Sequence, residues 1–560
     1  MLMSRRHAIT RTVGAGAILV IVLVAAGTAY YSIGGFGGAS PSSSMSSTTS
    51  PTTSSVSRDM VVGTTQKMRW LDSSAISNSI ELLVGSQVYE TLLRNNPQTG
   101  LPEPWLAQNY TLSSDGQTYT FKLRQGIKFQ DGTPLNSAAV KSSLIRAFVD
   151  PDTISIFLAN ILNGVNSAYS AGLGANASKA IDTPDDNTVV FHLAGPTSIA
   201  PYLFAMANTA ISSPTHNDRA QDQYVGTGPF SFVSWTRDDN VKLAPNPSYW
   251  NKDNQNPNIK SLTFKFFASA TAMQSSLLTS GVDVALWDLT PTQAKDLSTN
   301  SNVKFIQGEQ GRYVAMDLNN GTAPFNNLLV RQAVAYAIDP NQIISTVYGP
   351  VASLSPTFFP PGYPYVSNAF GAKYHVNVTM AKQLLTQAGY PNGFAAKLEY
   401  SPTQYGEAET PLVTLVQQQL SAVGITLTLQ PVEITQFIRD ARAGTPQMVS
   451  FHWIYDYFGP YQYVYNIMYG GPKGAWAKYM GYSDSVSTQL LDQIQRTTDQ
   501  TKLPGLYSQL QQRATTTIPL VPIGFLQDHF YTQPYVGGLQ VAFLGSSAAN
   551  GAFAKVTFSR

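Results

Sequence analysis

Residues 13–33 form an uncharged, largely apolar run that contains the letters ILVIVLVAA. A run of this length is about long enough to cross the ~30 Å hydrocarbon core of a bilayer. Basic residues before such a run orient it with the chain start inside and the remainder outside, and here they are Arg5, Arg6 and Arg11. Residues 1–36 are therefore predicted to be a signal or membrane-anchor helix, and an uncleaved anchor is preferred to cleavage after Ala29.

The letters that follow, GGASPSSSMSSTTSPTTSSVS, are rich in Ser, Thr and Pro and carry no charge. Such a segment cannot bury a hydrophobic core, so residues 37–59 are predicted to be a stalk that lifts a folded body off a membrane. Four Asn-x-Ser/Thr triplets agree with an extracytoplasmic body, at Asn109, Asn176, Asn320 and Asn377.

The composition of the 560-residue chain excludes several classes of protein. The formal net charge of +2 offers no electrostatic footprint for a nucleic acid. The absence of cysteine excludes disulfides, zinc–thiolate sites, a thiol nucleophile and a lipid-modified cysteine anchor. With 43% hydrophobic and 12% charged residues, the chain is predicted to form a folded body with a weakly charged surface. Its length is too great for one hydrophobic core and predicts roughly two to four lobes.

Turn and cap signals predict the local structure of the first half of the body. Residues 109–124 alternate around Asp115-Gly116, which is a strong hairpin signal, and residues 226–250 form a second hairpin pattern. Asn136 is placed to cap a helix whose apolar residues fall on one face.

Helical patterns dominate the second half. The patterns at residues 330–339 and 381–393 predict short helices. The second helix is predicted to end at Gly389. The helix pattern at 412–424 leads directly into the alternating strand pattern at 425–432. A helix followed by a strand in this way indicates an α/β lobe.

The sequence contains no recognisable catalytic or metal-binding signature. Its histidines include no His-x-x-x-His pair, and they stand at positions 7, 192, 216, 375, 452 and 529. There is no P-loop and no Gly-x-Ser-x-Gly elbow. The triplet Gly226-Thr227-Gly228 is predicted to be a structural turn, because Pro229 lacks an N–H for a phosphate. We therefore predict no enzyme activity, no cofactor and no metal.

The stretch FHWIYDYFGP, residues 451–460, places five aromatic rings around a single acid, Asp456. An unpaired buried carboxylate costs several kcal/mol, so the acid is expected either to cap a turn near Gly459-Pro460 or to meet a ligand. His452 lies four residues before the acid, a spacing that would put both on one face of a helix. The aromatic composition favours a strand or loop instead.

Five motifs in register resemble the extracytoplasmic solute-binding proteins of family 5, the peptide and nickel class that feeds ABC importers. The first is VYETLLRNNPQTGLPEPWLAQNYTLSSDGQTYTFKLRQGIKFQDGTPLNSAAVKSSLIRAF. The others are VGTGPFSFVSW with NPSYW, LNNGTAPFNNLLVRQAVAYAID, AKQLLTQAGYPNG and WIYDYFGPYQYV. The resemblance covers residues 62 to 545.

This resemblance implies an α/β fold of the periplasmic-binding-protein-like type II (cluster C) class, with lobes around a ligand cleft. Lobe I is expected to be discontinuous, with lobe II inserted in it and lobe III closing over the solute by hinge motion. The expected boundaries are 60–82, 190–310 and 506–560 for lobe I, 83–189 for lobe II and 311–505 for lobe III.

The resemblance also implies a ligand site. In the family's peptide binders, the aspartate of a Trp-x-x-Asp-Tyr segment pairs with the ligand's α-amino group, and Trp453, Asp456 and Tyr457 match that pattern. Tyr455 and His452 complete the set of predicted binding residues. The usual acid before the proline is replaced by Phe458-Gly459, which is a departure from the family pattern.

The implied function is that of a membrane-tethered, monomeric receptor that captures short peptides and delivers them to an ABC permease with its ATPase subunits. An oligosaccharide receptor of the same fold is the alternative, since rings that flank peptides also stack on sugars. A nickel-chelate receptor is a weaker third. A secreted hydrolase is disfavoured by the missing catalytic signature, and a structural surface protein by the absence of repeats.

Overall fold

A computed structural model describes residues 57–76, 78–96, 99–150, 156–165, 173–216, 218–354, 357–360, 363, 365–454, 459–471, 476–539 and 552–559. The predicted anchor helix and nearly all of the predicted stalk lie outside these residues, so both stay predictions. The first strand begins at Arg58, slightly ahead of the predicted start of the body at residue 60.

Nineteen strands occur in the part of the chain that the structure describes. They are β1 (Arg58–Thr64), β2 (Leu93–Asn95), β3 (Pro102–Pro104), β4 (Ala107–Leu112), β5 (Thr118–Leu123), β6 (Ile181–Asp185), β7 (Thr188–His192), β8 (Phe230–Thr236), β9 (Asn240–Pro245), β10 (Ile259–Phe266), β11 (Val284–Ala285), β12 (Lys304–Leu318), β13 (Ala352–Leu354), β14 (Phe394–Tyr400), β15 (Ile425–Pro431), β16 (Met448–Ile454), β17 (Leu520–Thr532), β18 (Val536–Gly537) and β19 (Thr557–Phe558).

The same described residues contain eighteen α-helices. They are α1 (Ser79–Val88), α2 (Ser137–Val149), α3 (Ile156–Ala159), α4 (Leu173–Lys179), α5 (Ala200–Phe204), α6 (Ala270–Leu278), α7 (Pro291–Ser298), α8 (Leu328–Ala337), α9 (Pro340–Ile343), α10 (Ala369–Lys373), α11 (Val378–Gln387), α12 (Pro402–Tyr405), α13 (Glu409–Ser421), α14 (Ile434–Ala443), α15 (Pro460–Met468), α16 (Trp476–Tyr479), α17 (Ser485–Arg496) and α18 (Leu503–Thr517).

Eleven strands form one mixed sheet in the order β15-β14-β16-β12-β17-β11-β1-β10-β9-β8, with β13 paired to β17 outside this path. On one side, which we call the N-half, β1 runs parallel to β10 and β11. On the other side, the C-half, β14 runs parallel to β15 and β16. The α/β class predicted from sequence is confirmed by this sheet and the helices around it.

β12 and β17 connect the two halves, and we call them the crossing strands. With 15 and 13 residues they are the longest strands described, and ~3.3 Å per residue gives β12 a length of ~50 Å. Lys304 to Gln307 pair with residues 529–532 beside the N-half, whereas Arg312 to Asp317 pair with residues 520–526 beside the C-half. The antiparallel register breaks between these two paired stretches.

A separate four-stranded sheet, in the order β4-β5-β7-β6, lies within residues 107–192. Its first hairpin turns where the sequence predicts, and Gly116 takes the left-handed backbone angle of φ +73° that the tight turn needs. The predicted helix cap is also confirmed, because the Asn136 side chain accepts the N–H of Ala139 at the start of α2. The lobe boundaries themselves stay predictions.

Glu90, which lies in the first family-like motif, is a buried acid that accepts hydrogen bonds from several aromatic side chains. The carboxylate is fully buried and accepts four hydrogen bonds of 2.7–2.8 Å, from Trp105, Thr227, Tyr249 and Trp250. Burial raises the pKa of Glu90, and these four donors oppose that rise. Through this one buried acceptor, the segment before β2 is joined to the segments after β3, before β8 and after β9.

Candidate functional site

The carboxyl ends of the parallel strands in both halves of the sheet converge on the crossing strands. In the N-half, Ala285 at the end of β11 pairs with Tyr531, so residues 527–530 of β17 extend beyond that end. In the C-half, Ile454 at the end of β16 pairs with Arg312, so residues 308–311 of β12 extend beyond it. Ligands of open α/β sheets bind outside the carboxyl ends of the strands, which makes this region the candidate site.

The aromatic stretch singled out in the sequence lies at this edge. β16 runs from Met448 to Ile454 between β14 and β12, so the strand prediction is confirmed for the part of the stretch that the structure describes. The predicted binding residues Tyr455, Asp456 and Tyr457 lie outside the described residues. Their roles stay predictions.

Trp453 lies on the face of β16 that carries a stack of aromatic rings. Its ring is 6.0 Å from that of Phe451, which in turn is 5.2 Å from Trp476. The side chain is partly buried, and its indole N–H has no hydrogen-bond partner among the described residues. A large ring with an unused donor at the end of a parallel strand suits a wall of a binding site.

His452 points to the opposite face of β16 and is almost completely buried. Its Nε2 lies 2.7 Å from Oε2 of Glu409, within ion-pair distance but without the angle of a hydrogen bond. The imidazole also stacks on Tyr405, with ring centroids 4.3 Å apart and an angle of 12° between the planes. His452 thus packs beneath the edge where the candidate site lies.

Sequence reasoning missed Glu409 and Tyr405. Both follow β14 at its carboxyl end, with Tyr405 closing α12 and Glu409 opening α13. The sequence signal for them was only a polar turn before an apolar helix, and nothing in it connected that turn to residue 452. The contact arises because β14 and β16 are parallel neighbours in the sheet.

Arg312 is a second residue that sequence reasoning missed. It stands on β12 directly opposite Ile454, and its Nη1 donates a long hydrogen bond of 3.5 Å to the carbonyl oxygen of Tyr405. No ion pair of Arg312 is found among the described residues. A partly buried guanidinium therefore stands at the carboxyl end of β16 with unused donors.

Asp288, which follows β11, organises the edge of the N-half where its parallel strands end. Its carboxylate accepts hydrogen bonds from the hydroxyl of Thr64 at 2.5 Å, the amide of Thr65 at 2.9 Å and the side chain of Gln66 at 2.8 Å. These bonds hold the segment that leaves β1. The neighbouring Trp287 is partly buried and stacks on Phe530 of β17 at 5.8 Å.

His529 lies on the crossing strand itself. Burial lowers the pKa of its imidazole to about 4, although a 2.8 Å contact of Nδ1 with the carbonyl oxygen of Gln527 opposes that shift. The ring is therefore neutral at physiological pH. Within the described ranges, no group of three His, Asp or Glu side chains is arranged to hold a metal ion.

Residues 102–475 match the model of the bacterial extracellular solute-binding proteins, family 5. The chain belongs to this family. It is therefore an extracytoplasmic receptor for a small-molecule solute, which it delivers to an ABC import permease, and the family resemblance seen in the sequence is confirmed.

Several known proteins are similar to this chain. The glutathione-binding protein GsiB of Shigella flexneri and that of Escherichia coli K12 are each 32% identical over 375 residues, which is 66% of this chain and 68% of theirs. The structure of AgaA from A. tumefaciens R10 in complex with agropinic acid is 25% identical, with a TM-score of 0.68 over 89% of this chain and 98% of AgaA.

The structure of DppA from Helicobacter pylori in complex with the peptide STSA is 21% identical, with a TM-score of 0.70 over 91% of this chain and 99% of DppA. At this level of identity the likeness concerns the fold alone. The fold class predicted from sequence is thereby confirmed.

In the part of the chain that the structure describes, no helix has both the length and the apolar character needed to cross a bilayer. The predicted anchor at residues 1–36 lies outside that part.

Proposed function

We propose that this receptor captures short peptides between lobes I and III, with the carboxylate of Asp456 accepting the peptide's ammonium group. The observation that carries the proposal is the position of β16, whose carboxyl end faces the crossing strands and leads directly into Asp456. A charge-assisted pair in a water-excluding site is roughly twice as strong as a neutral hydrogen bond. Asp456 is thus the recognition element and Trp453 the apolar wall beside it.

The names of similar proteins support a peptide-like solute. GsiB is named for glutathione, and DppA was solved with the peptide STSA. His452 has a positioning role in this proposal, because its imidazole is held between Glu409 and Tyr405 at the base of the strand end. We further propose that the receptor works as a monomer tethered through residues 1–36.

An oligosaccharide is the second candidate solute. Trp453 favours it, because a partly exposed indole at a cleft wall can stack on the face of a sugar ring as well as on a peptide. The two candidates differ in charge. A peptide needs the carboxylate of Asp456, whereas a neutral sugar does not.

The test compares Asp456→Asn with the wild type by calorimetric titration of alanine peptides of two to five residues. The substitution keeps the side-chain shape and removes the charge, so we expect peptide affinity to fall at least ~30-fold, since losing one partner of a desolvated ion pair costs about 2–5 kcal/mol. N-acetylation of the peptides should weaken binding to the wild type by a similar factor. In the variant it should add little, because both changes delete the same interaction.

Asp296→Asn is the matched control, because it makes the same chemical change at an exposed position of α7. It should leave both affinities unchanged. Equal affinity of the wild type for free and acetylated peptides would contradict the ammonium role. If maltotriose binds instead and Trp453→Ala harms binding more than Asp456→Asn, the oligosaccharide is the solute class.

A further inference from the structure

The four-stranded sheet is joined firmly to the N-half. Arg146 of α2, a helix that packs on the four-stranded sheet, forms an ion pair of 2.7 Å with Asp72, a buried acid that follows β1. The side chain of Gln130 donates to the carbonyl oxygens of Gly228 and Phe230 at 3.3 and 2.8 Å, where β8 begins. Because these contacts cross between the two sheets, we treat the N-half and the four-stranded sheet as one body, the N-body.

Residues 193–204, which follow β7, are part of the N-body. At the end of α5, the ring of Phe204 lies 4.8 Å from that of Phe121 and 4.7 Å from that of Phe191, on strands β5 and β7. Ser198 stands between β7 and α5 and is therefore carried by the N-body.

Helix α17, by contrast, belongs to the C-half. The carboxylate of Asp484, which caps the amino end of α17, forms an ion pair of 2.6 Å with Arg513 of α18. Helix α18 leads into Leu520 at the start of β17, which pairs with Asp317 beside the C-half. We therefore expect α17 to move with the C-half of the sheet.

Ser198 of the N-body caps the carboxyl end of α17. The last carbonyl groups of a helix have no intrahelical partner and need a donor from elsewhere. The hydroxyl of Ser198 donates to the carbonyl oxygen of Ile494 at 2.7 Å, and its amide donates to that of Gln495 at 2.7 Å. Ser198 is only 6% exposed, so both bonds are shielded from water. One residue of the N-body thus satisfies two carbonyl groups of the C-half.

The surfaces around Ser198 are closely packed. A cavity of about 10 Å³ lies beside it, lined by Tyr202 from the N-body and by Pro460 and Tyr507 from the C-half. A volume of this size holds at most one water molecule. We call this contact, between residues 195–202 and helices α15, α17 and α18, the seam.

The turn of the β4–β5 hairpin meets the C-half beside the seam. A Cβ atom at Gly116 would lie 3.0 Å from Cγ2 of Thr498, which follows the end of α17. The N-body and the C-half are therefore in contact along this hairpin and the seam, at a place apart from the crossing strands.

Opening of a cleft between the two bodies has to separate the seam. Helix α15 begins at Pro460 and follows β16, whose carboxyl end borders the candidate site, so the seam lies near that site. Movement about the crossing strands breaks both bonds of Ser198 together, and water replaces them. Because each exchanged hydrogen bond contributes little net free energy, the contact can form and break reversibly.

We propose that Ser198 is a latch that closes the seam before any solute has bound. The latch sets the ratio of closed to open receptor in the absence of solute, and it makes closure easier for every solute. It does not depend on the proposed peptide function, because neither of its hydrogen bonds involves a ligand.

The experiment measures the width of the seam in the protein without solute. Nitroxide labels at Asn109→Cys and Gln500→Cys span it, because Asn109 lies on the hairpin that meets Thr498 and Gln500 follows Thr498. Both positions are exposed, and the chain has no cysteine of its own to react with the label. Double electron–electron resonance gives the distribution of label distances. We expect the labelled wild type to show mainly the short distance of the closed seam.

Three substitutions at Ser198 test the latch. Ser198→Asp places a carboxylate against the carbonyl groups that end α17, where a negative charge is repelled. We expect the ratio of closed to open protein to fall at least ~10-fold, with longer label distances. Ser198→Ala keeps the amide bond and should lower the ratio ~3-fold. Ser198→Thr keeps the hydroxyl and should retain the wild-type ratio.

Ser298→Asp is the matched control. It makes the same change near the end of α7, where the Ser298 hydroxyl donates at 2.8 Å to the carbonyl oxygen of Lys295 in its own helix. The label distances should stay those of the wild type.

The latch is overturned if Ser198→Asp and Ser198→Ala both keep the wild-type distances, or if the wild type is already as open as Ser198→Asp. Ser198→Ala decides the result if Ser198→Asp does not fold. Failure of the alanine peptides to bind would contradict the proposed function and leave this result unchanged.

Discussion

Asp317 is a buried acid whose ionisation is expected to affect the stability of the protein. It lies near the end of β12, only 3% exposed, and its Oδ2 accepts a 2.6 Å hydrogen bond from the indole of Trp476. Burial raises the pKa of Asp317 to about 8, although the bonds from Trp476 and the amide of Leu318 oppose the rise. The acid therefore stays largely protonated near pH 7 in the folded protein.

The sign of the resulting pH dependence follows from proton binding. An unfolded aspartic acid loses its proton near pH 3.8, whereas the folded one keeps it until about pH 8. At this residue the folded state thus binds more protons in this window, and the contribution of Asp317 to stability falls as the pH rises from 4 to 8.

We expect Asp317→Asn to reduce this decline, because the amide stays neutral at every pH and its carbonyl oxygen can still accept from Trp476. The difference in slope between variant and wild type should reach up to ~1.4 kcal/mol per pH unit. Urea unfolding at pH 5, 6, 7 and 8 measures it. Asp296→Asn, at an exposed position, should keep the wild-type slope, and an unchanged slope for Asp317→Asn would show that the acid is ionised in the fold.

At the scale of secondary-structure elements, the crossing strands decide where the molecule can bend. Their register breaks between Gln307 and Gln310 and again between Gln310 and Arg312. A third break lies between Val314 and Ala315. Each break removes ladder hydrogen bonds, so the strands are less firmly held there than at residues 304–307 and 315–317, which pair without a break. The first two breaks lie where the two halves of the sheet meet, which is the place expected for a hinge.

We expect the amides of residues 308–311 to exchange with deuterium faster than those of residues 315–317 on the same strand. Addition of a binding alanine peptide should slow the exchange at 308–311, because closure orders the hinge and excludes water. Solution scattering in the same samples should show a more compact particle. Uniform exchange along β12 would place the hinge elsewhere.

At the scale of the whole molecule, the Asn-x-Ser/Thr triplets differ in how accessible their asparagines are to modification. The Asn109 side chain is exposed on the edge strand β4 and is available for modification. Asn320 is different, because its side-chain amide donates to the carbonyl oxygens of Leu318 at 2.7 Å and Pro519 at 3.3 Å. The Asn320 triplet is thus better explained by structure than by glycosylation.

We predict that the native protein fractionates with membranes and that limited proteolysis within residues 40–57 releases a folded body. The reason is that a segment of this Ser/Thr/Pro-rich composition is expected to be open to proteases. Mass spectrometry of the released body should place its new start in that range. A soluble native product that already begins at Tyr30 would instead identify residues 1–29 as a cleaved signal.

The family, the α/β class and the local turns could all be predicted from the amino-acid sequence. Three local features were predicted correctly: the turn at Gly116, the cap at Asn136 and the end of α11 before Gly389. Each depends on interactions between residues a few positions apart, which can be recognised in the sequence. The strand at residues 451–454 could also be predicted, because strand propensity depends on local composition.

The residues that surround that strand could not be predicted from the sequence, because they are brought together by the assembled sheet. Glu409 reaches His452, and Arg312 reaches Tyr405, because sheet pairing brings together segments that are far apart in the chain. Asp317 is held neutral by burial against Trp476, and no local pattern reports how deeply a residue will be buried. Electrostatic interactions, unlike turn geometry, act between residues that are far apart in the sequence. The partners of a charged side chain are therefore determined only when the strands have assembled.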